Sequence, residues 1–137
     1  MSKGGVMMIK WKEEYKIGVE QIDNQHKRLF EIADEAYGIL LDKYSIDKYD
    51  RIVEVINELK DYTVFHFRSE EDYMKKINYP GLSSQKKVHD EFIEKINSVD
   101  LEQIDENQDK YIMEILDFVL NWIEQHILKM DKLIVSK

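Results

Sequence analysis

Apolar residues recur at three- and four-residue spacing in four stretches of the chain, the signature of amphipathic helices. The first stretch runs through Ile22, Leu29, Phe30, Ile32, Ala33, Ala36, Tyr37, Leu40 and Leu41 and fades near Tyr44-Ser45, with Asp23 or Asn24 as its predicted N-terminal cap. The second begins near Asp47, carries Ile52, Val55, Ile56, Leu59, Tyr62, Thr63, Tyr73, Met74 and Ile77, and stops at Asn78-Tyr79-Pro80-Gly81. At about 28 residues it spans ~42 Å. A third opens with Ser83 or Ser84 as cap, continues through Val88, Phe92, Ile93 and Ile96, and dissolves in the polar stretch Asn97 to Asp109. Tyr111, Ile112, Ile115, Leu116, Val119, Trp122, Ile123, Ile127 and Met130 form the fourth, leaving Leu133-Ile134-Val135 as a C-terminal tail.

No strand alternation, glycine-rich loop or internal repeat competes with this pattern. Connections of roughly 3 to 10 residues favour antiparallel neighbours. The predicted fold is all-α, an up-down-up-down four-helix bundle with an extended N-terminal arm. Within that arm, Val6 to Gly18, Trp11 and Tyr15 are large anchors expected to pack across the outside of the bundle. Residues 1–10 are set aside as a flexible arm or an expression remnant, and residues 11–137 are taken as one domain.

Composition narrows the chemistry. A chain of 137 residues can bury a real core without staples, and with no Cys it has no disulfide, thiolate-bound zinc, iron–sulfur cluster or cysteine nucleophile. Twenty Lys and Arg against 28 Asp and Glu give a formal charge of −8, which repels phosphate backbones, so nucleic acid is not an expected partner. Apolar runs fall far short of the ~20 residues that span a bilayer, and no signal-type segment opens the sequence. No membrane partner and a cytoplasmic location are therefore expected.

The four His are distributed one to each helix: His26, His66, His89 and His126. Each sits at core-facing spacing: His26 four after Ile22, His66 seven after Leu59, His89 three before Phe92, His126 three after Ile123. A single histidine on an apolar face is usually a core residue with a hydrogen-bonded neighbour. Four are harder to assign that way, because alternating helix directions also put all of them toward one end of the bundle, at depths of ~6 to ~16 Å.

Glu70 follows His66 by four residues and so shares its face, whereas Glu71 and Asp72 are predicted to turn outward into solvent. A buried Glu70 costs several kcal/mol unless it is paired or metal-bound, and no Lys or Arg lies on the facing stripes. The alternative is a Glu that reaches solvent from a frayed helix end. Asp131 lies five residues after His126, ~140° off that face in an ideal helix, so it joins the site only if the helix ends, tightens or bulges between them. Imidazole and carboxylate ligands without sulfur suit iron, manganese or zinc.

These residues resemble the hemerythrin family. The opening Trp11-x3-Tyr15-x2-Gly18-Val19-x2-Ile22-Asp23-x-Gln25-His26-x2-Leu29 is similar to the family's first motif, His66-Phe67-x2-Glu70 to its second and His126-x4-Asp131 to its fourth, with Pro80 to Phe92 in the place of the third. The resemblance runs from Trp11 to about Leu133. It implies two iron ions with an oxo or hydroxo bridge, bridged also by Glu70 and Asp131. It further implies His26 and His66 on the iron that takes O2, and His89 and His126 on the other. Leu29, Phe67, Trp122 and Ile127 match positions lining the family's O2 pocket, where ordinary core packing is the bland reading.

The chain departs from the family pattern at Gln85, where a further His is usual. An amide is a weak iron ligand, so at this position the second iron is expected to be held weakly by Gln85, by water or by nothing, which would make that iron labile. The resemblance thus implies reversible O2 binding for storage, delivery or sensing. Gln85 raises the alternative of a di-iron enzyme consuming peroxide, O2 or NO. A haem held by two His, and a bundle with no metal that serves as an interaction module, are further readings. Ferritin-like sites are excluded, because no Glu stands three residues before any His.

Overall fold

The computed structural model describes residues 10–42, 48–99 and 109–135. Four long helices make up the bundle: α1 (Glu20–Leu41), α2 (Lys48–Lys76), α3 (Leu82–Asn97) and α4 (Asp109–His126). Beyond α4 the chain makes a π-helical turn, Ile127–Asp131, and finishes in a short helix, α5 (Lys132–Val135). No strand occurs among the described residues. Helix α1 packs on α2 and α4, and α2 packs on α3, in the predicted up-down-up-down order. The predicted start of the second helix, the end of the first, and all of the chain before Lys10 lie outside the described residues.

Each helix buries a single face, and the spacing of that face explains both the core and the site. On α2 one row of buried positions runs Ile52, Ile56, Leu59, Thr63, His66, Glu70 and Met74, in steps of three and four, with Val55, Phe67 and Glu71 buried beside it. The spacing continues unbroken while the chemistry changes from aliphatic to ionisable, so one helix lines a dry core at one end and a polar pocket further along. Thr63 marks the change, its hydroxyl donating back to the Leu59 carbonyl at 2.7 Å. Between aliphatic core and pocket lies an aromatic layer in which Phe92 stacks on Trp122 with ring centroids 4.1 Å apart and Phe67 stacks on His89 at 4.0 Å.

Several boundaries differ from the sequence expectation. Helix α1 starts at Glu20 rather than at a capping Asp23; Asp23 lies inside the first turn, and its buried carboxylate accepts the backbone N–H of Ile17 at 2.8 Å and of Gly18 at 3.1 Å. It clasps the arm that precedes the helix, where Gly18 takes a φ of 93° that only glycine adopts without strain. Helix α3 starts at Leu82 after Gly81, with no side-chain cap from Ser83 or Ser84. Ile77, counted with the apolar stripe, is exposed, and Leu133 to Val135 are helical instead of a loose tail.

Tyr15 is not an external anchor. It follows from a 3-10 turn, Glu13–Tyr15, that drops its ring into the core, fully buried and stacked on Phe30 at 5.5 Å. Its hydroxyl donates to Glu124 on α4. Trp11 is partly buried, with the Lys27 ammonium 4.6 Å from its ring centroid. No helix among the described residues is long and apolar enough to cross a membrane.

Replacing Asp23 with Ala leaves two backbone N–H groups without their acceptor, and is expected to lower the unfolding free energy by about 1–3 kcal/mol. Urea denaturation followed by far-UV circular dichroism measures it, and an unchanged midpoint would contradict the clasp.

Candidate metal centre

All six residues singled out as ion-binding from the sequence, His26, His66, Glu70, His89, His126 and Asp131, are buried and meet between the helices. Helix α1 supplies His26, α2 supplies His66 and Glu70, α3 supplies His89, and α4 with its π-helical extension supplies His126 and Asp131. The four-residue step from His66 to Glu70 puts both on the face that α2 turns inward.

Asp131 reaches the same pocket because the last circuit of the fourth helix is widened. The backbone N–H of Lys132 donates to the carbonyl of Ile127, five residues back, where an α-helix would reach four. That circuit takes up one extra residue, and the five-residue step from His126 to Asp131 becomes roughly one full turn. The ideal-helix expectation of an off-face Asp131 is thereby corrected.

The donor atoms fall into two groups, His26, His66, Glu70 and Asp131, and Glu70, His89, His126 and Asp131, each with one atom per residue mutually within 4.8 Å. Glu70 and Asp131 belong to both. His26 Nε2 lies 3.5 Å from Glu70 Oε2 and 3.2 Å from Asp131 Oδ2, and His66 Nε2 lies 3.6 Å from the same Glu70 oxygen. In the second group His89 Nε2 is 3.1 Å from Glu70 Oε1 and 3.1 Å from His126 Nε2, which is 3.2 Å from Asp131 Oδ1. Each carboxylate therefore offers one oxygen to each group.

Two observations test whether these residues suit metal ions. Both Glu70 oxygens, Asp131 Oδ2 and both His26 ring nitrogens are buried without a hydrogen-bond partner, although nitrogens and oxygens stand close together. Buried acceptor oxygens left unpaired beside imidazole nitrogens are what a shared cation would satisfy. In addition, neighbouring ligands of an ion at about 2.1 Å lie about 3.0 Å apart in octahedral geometry, close to the shortest separations here. Within 4 Å of Glu70 and Asp131 the only basic groups among the described residues are imidazoles. Cations held between the helices would answer that burial of negative charge.

A second layer of side chains fixes the rings. His66 Nδ1 donates to Gln25 Oε1 at 2.7 Å, and His89 Nδ1 lies 2.8 Å from Glu71 Oε2. A carboxylate only accepts, so His89 carries a proton on Nδ1 and leaves Nε2 as the nitrogen that faces the pocket. Glu71 was expected to face solvent; it is only 9% exposed, because α3 packs over that side of α2. Its one advance sign was Arg68 three residues before it, which grips both its oxygens at 2.9 and 3.0 Å. Gln25 carried no such sign. Gln85 is buried, its Nε2 donating to Asp131 Oδ1 at 3.1 Å while its Oε1 has no partner.

Leu29, Phe67, Trp122 and Ile127 line a cavity of ≈ 10 Å³ together with His26, His66, Ile123, His126 and Asp131. That is about the space of one water-sized body, and four of the six donor residues border it.

Protonation in the metal-free state follows from this crowding. Burial opposes a charge on His26, but the adjoining Asp131 and Glu70 carboxylates outweigh it and push the pKa up to about 9. His89 is likewise raised: burial opposes the charge and Glu70 and Glu71 prevail. Burial, and then the charge on His26, hold His66 well below its ordinary range. Asp131 is held low by His126 and His26 despite burial.

A pKa raised on folding stabilises the metal-free chain below the unfolded value of 6.5, and that contribution is lost as pH rises through about 9 for His26. A depressed one, as at His66, costs stability as pH falls below 6.5. Chelator-treated protein is therefore expected to show a falling Tm between pH 6.5 and 9, and metal-loaded protein a smaller change, since bound cations replace those protons. A Tm of the metal-free chain that rises across this window would contradict the arrangement.

The family profile of the hemerythrin HHE cation binding domain matches residues 17–137. A bacteriohemerythrin of Clostridium acetobutylicum is 49% identical over 125 residues, covering 91% of this chain and 97% of its own length. A bacteriohemerythrin of Pseudomonas paraeruginosa is 37% identical over 87 residues, 64% of this chain and 54% of its own length. A hemerythrin-like protein of Naegleria gruberi is 25% identical over 117 residues, 85% of this chain and 82% of its own length.

Proposed function

This chain belongs to the hemerythrin family, and on that premise we propose that it is a non-haem di-iron protein that binds O2 reversibly, for storage, delivery or sensing. The observation that carries the reading is the pair of buried donor groups that share Glu70 and Asp131. The proposed cofactor is a pair of iron ions with an oxo or hydroxo bridge, held within a domain of residues 11–137. Bound there, two irons supply the electrons that a dioxygen guest accepts and returns.

The protein's part is to hold, orient and exclude. His26 and His66 hold one ion and His89 and His126 the other, while Glu70 and Asp131 bridge the two. Gln25 and Glu71 keep their imidazoles in the tautomer with Nε2 free for the ion. Leu29, Phe67, Trp122 and Ile127 exclude water from the guest's side and offer it no strongly acidic proton, which favours release of the guest unchanged. Gln85 steadies Asp131 through its amide N–H.

Repeated deoxygenation and oxygenation of the iron-loaded protein is expected to give a stable visible spectrum that returns on each cycle. Irreversible conversion with peroxide turnover would replace this reading with a di-iron enzyme, and a Soret band with a haem protein. His66→Ala is expected to lower the iron content from two ions per chain and reduce Tm, because Glu70 then lacks a properly held cation. Elemental analysis and thermal unfolding measure both; two irons retained at wild-type Tm would contradict the assignment.

A further inference from the structure

Each donor group has two imidazoles and the same two carboxylates, and Gln85, with its amide N–H on Asp131, adds no imidazole to the second; the groups nevertheless are not held alike. In the first group His66 is oriented by the neutral Gln25 amide, and His26 Nδ1 is buried with no hydrogen-bond partner. In the second group His89 is oriented by a carboxylate. Glu71 accepts its Nδ1–H, Arg68 grips both Glu71 oxygens, and Arg68 is itself tied to Asp90 on α3 at 3.2 Å. The ring faces differ as well: His89 lies flat on Phe67 with centroids 4.0 Å apart, and His126 lies flat on Trp122 at 4.6 Å.

We propose that the Arg68–Glu71 pair is the positioning device that anchors one ion through His89 and leaves the ion of His26 and His66 the more readily released of the two. The inference rests on the di-iron reading above. An imidazole whose far N–H is shared with a carboxylate is a stronger donor than one hydrogen-bonded to a neutral amide, because partial transfer of that proton places negative charge on the ring. Arg68 limits the opposite effect. By balancing the Glu71 charge it lets that carboxylate stay buried and aimed without a second cation.

The result is a centre with an anchored ion and an exchangeable one, set by residues that touch neither. Arg68 has a half-exposed side chain, so the anchoring path runs from the molecular surface through Glu71 and His89 to the pocket. Neither Arg68 nor Glu71 is a ligand in this account, since Glu71 reaches only the outer nitrogen of His89.

The test uses the full chain loaded without oxygen with two equivalents of ferrous iron, then mixed with excess ferrous chelator while release is followed by absorbance. Wild type is expected to release its irons in two phases, one per chain in each. Glu71→Gln should speed the slow phase about 10–100-fold and leave the fast phase unchanged. Gln25→Glu should slow the fast phase alone, which a merely structural role for these residues does not predict. Because Glu71 is nearly buried, Arg68→Gln serves as the variant that spares the core, with a smaller acceleration of the same slow phase. Circular dichroism of the metal-free variants checks that the bundle is intact. Both phases accelerated alike in Glu71→Gln and Arg68→Gln, or a slow phase untouched by either, would overturn the proposal while leaving the di-iron reading in place. Wild type that takes up fewer than two irons would overturn the di-iron reading itself.

Discussion

Two carboxylates buried among imidazoles are the constraint on which this molecule depends. Glu70 and Asp131 are both 0% exposed, and no Lys or Arg among the described residues lies within 4 Å of them. Burial of charge on this scale is unfavourable unless every lone pair has a partner, and here several have none within the protein. Cations between the helices would supply the missing partners, and folding and metal loading would then be parts of one equilibrium. The bundle supplies the geometry because four helices can each lend one or two side chains to a point that no single helix could surround.

Much of the fold was legible because the spacing of buried residues is regular and does not depend on what those residues are. On α2 the inward face keeps its three- and four-residue steps from Ile52 to Met74 through both dry core and pocket, so His66 and Glu70 could be placed by counting from Leu59. The same counting brought His26, His89 and His126 to one layer. Helix ends were less legible. Asp23 looked like a cap because its carboxylate does accept backbone N–H groups; it takes them from the arm before the helix, and chain spacing does not show in which direction an acceptor reaches.

Three features of the site escaped the pattern for separate physical reasons. Asp131 needed a widened turn, and nothing in the local residue types of Ile127–Asp131 announces an i to i+5 hydrogen bond. Glu71 was assigned to solvent by its angular position on α2, which was sound for an isolated helix, but α3 lies over that face and converts a surface carboxylate into the partner of His89. Gln25 orients His66 from another helix, a relation between residues 41 positions apart that no periodicity encodes.

The N-terminal segment, easily discarded as a lead-in, also touches two of the four helices that flank the pocket, α1 and α4. Asp23 fastens it to α1 one turn before His26, and Tyr15 reaches from it to Glu124 on α4, two residues before His126. It therefore works as a crossbar between two uprights. Shortening the chain at its front end would remove a brace that fixes how far apart those uprights stand, and with them the imidazoles they carry toward opposite halves of the centre.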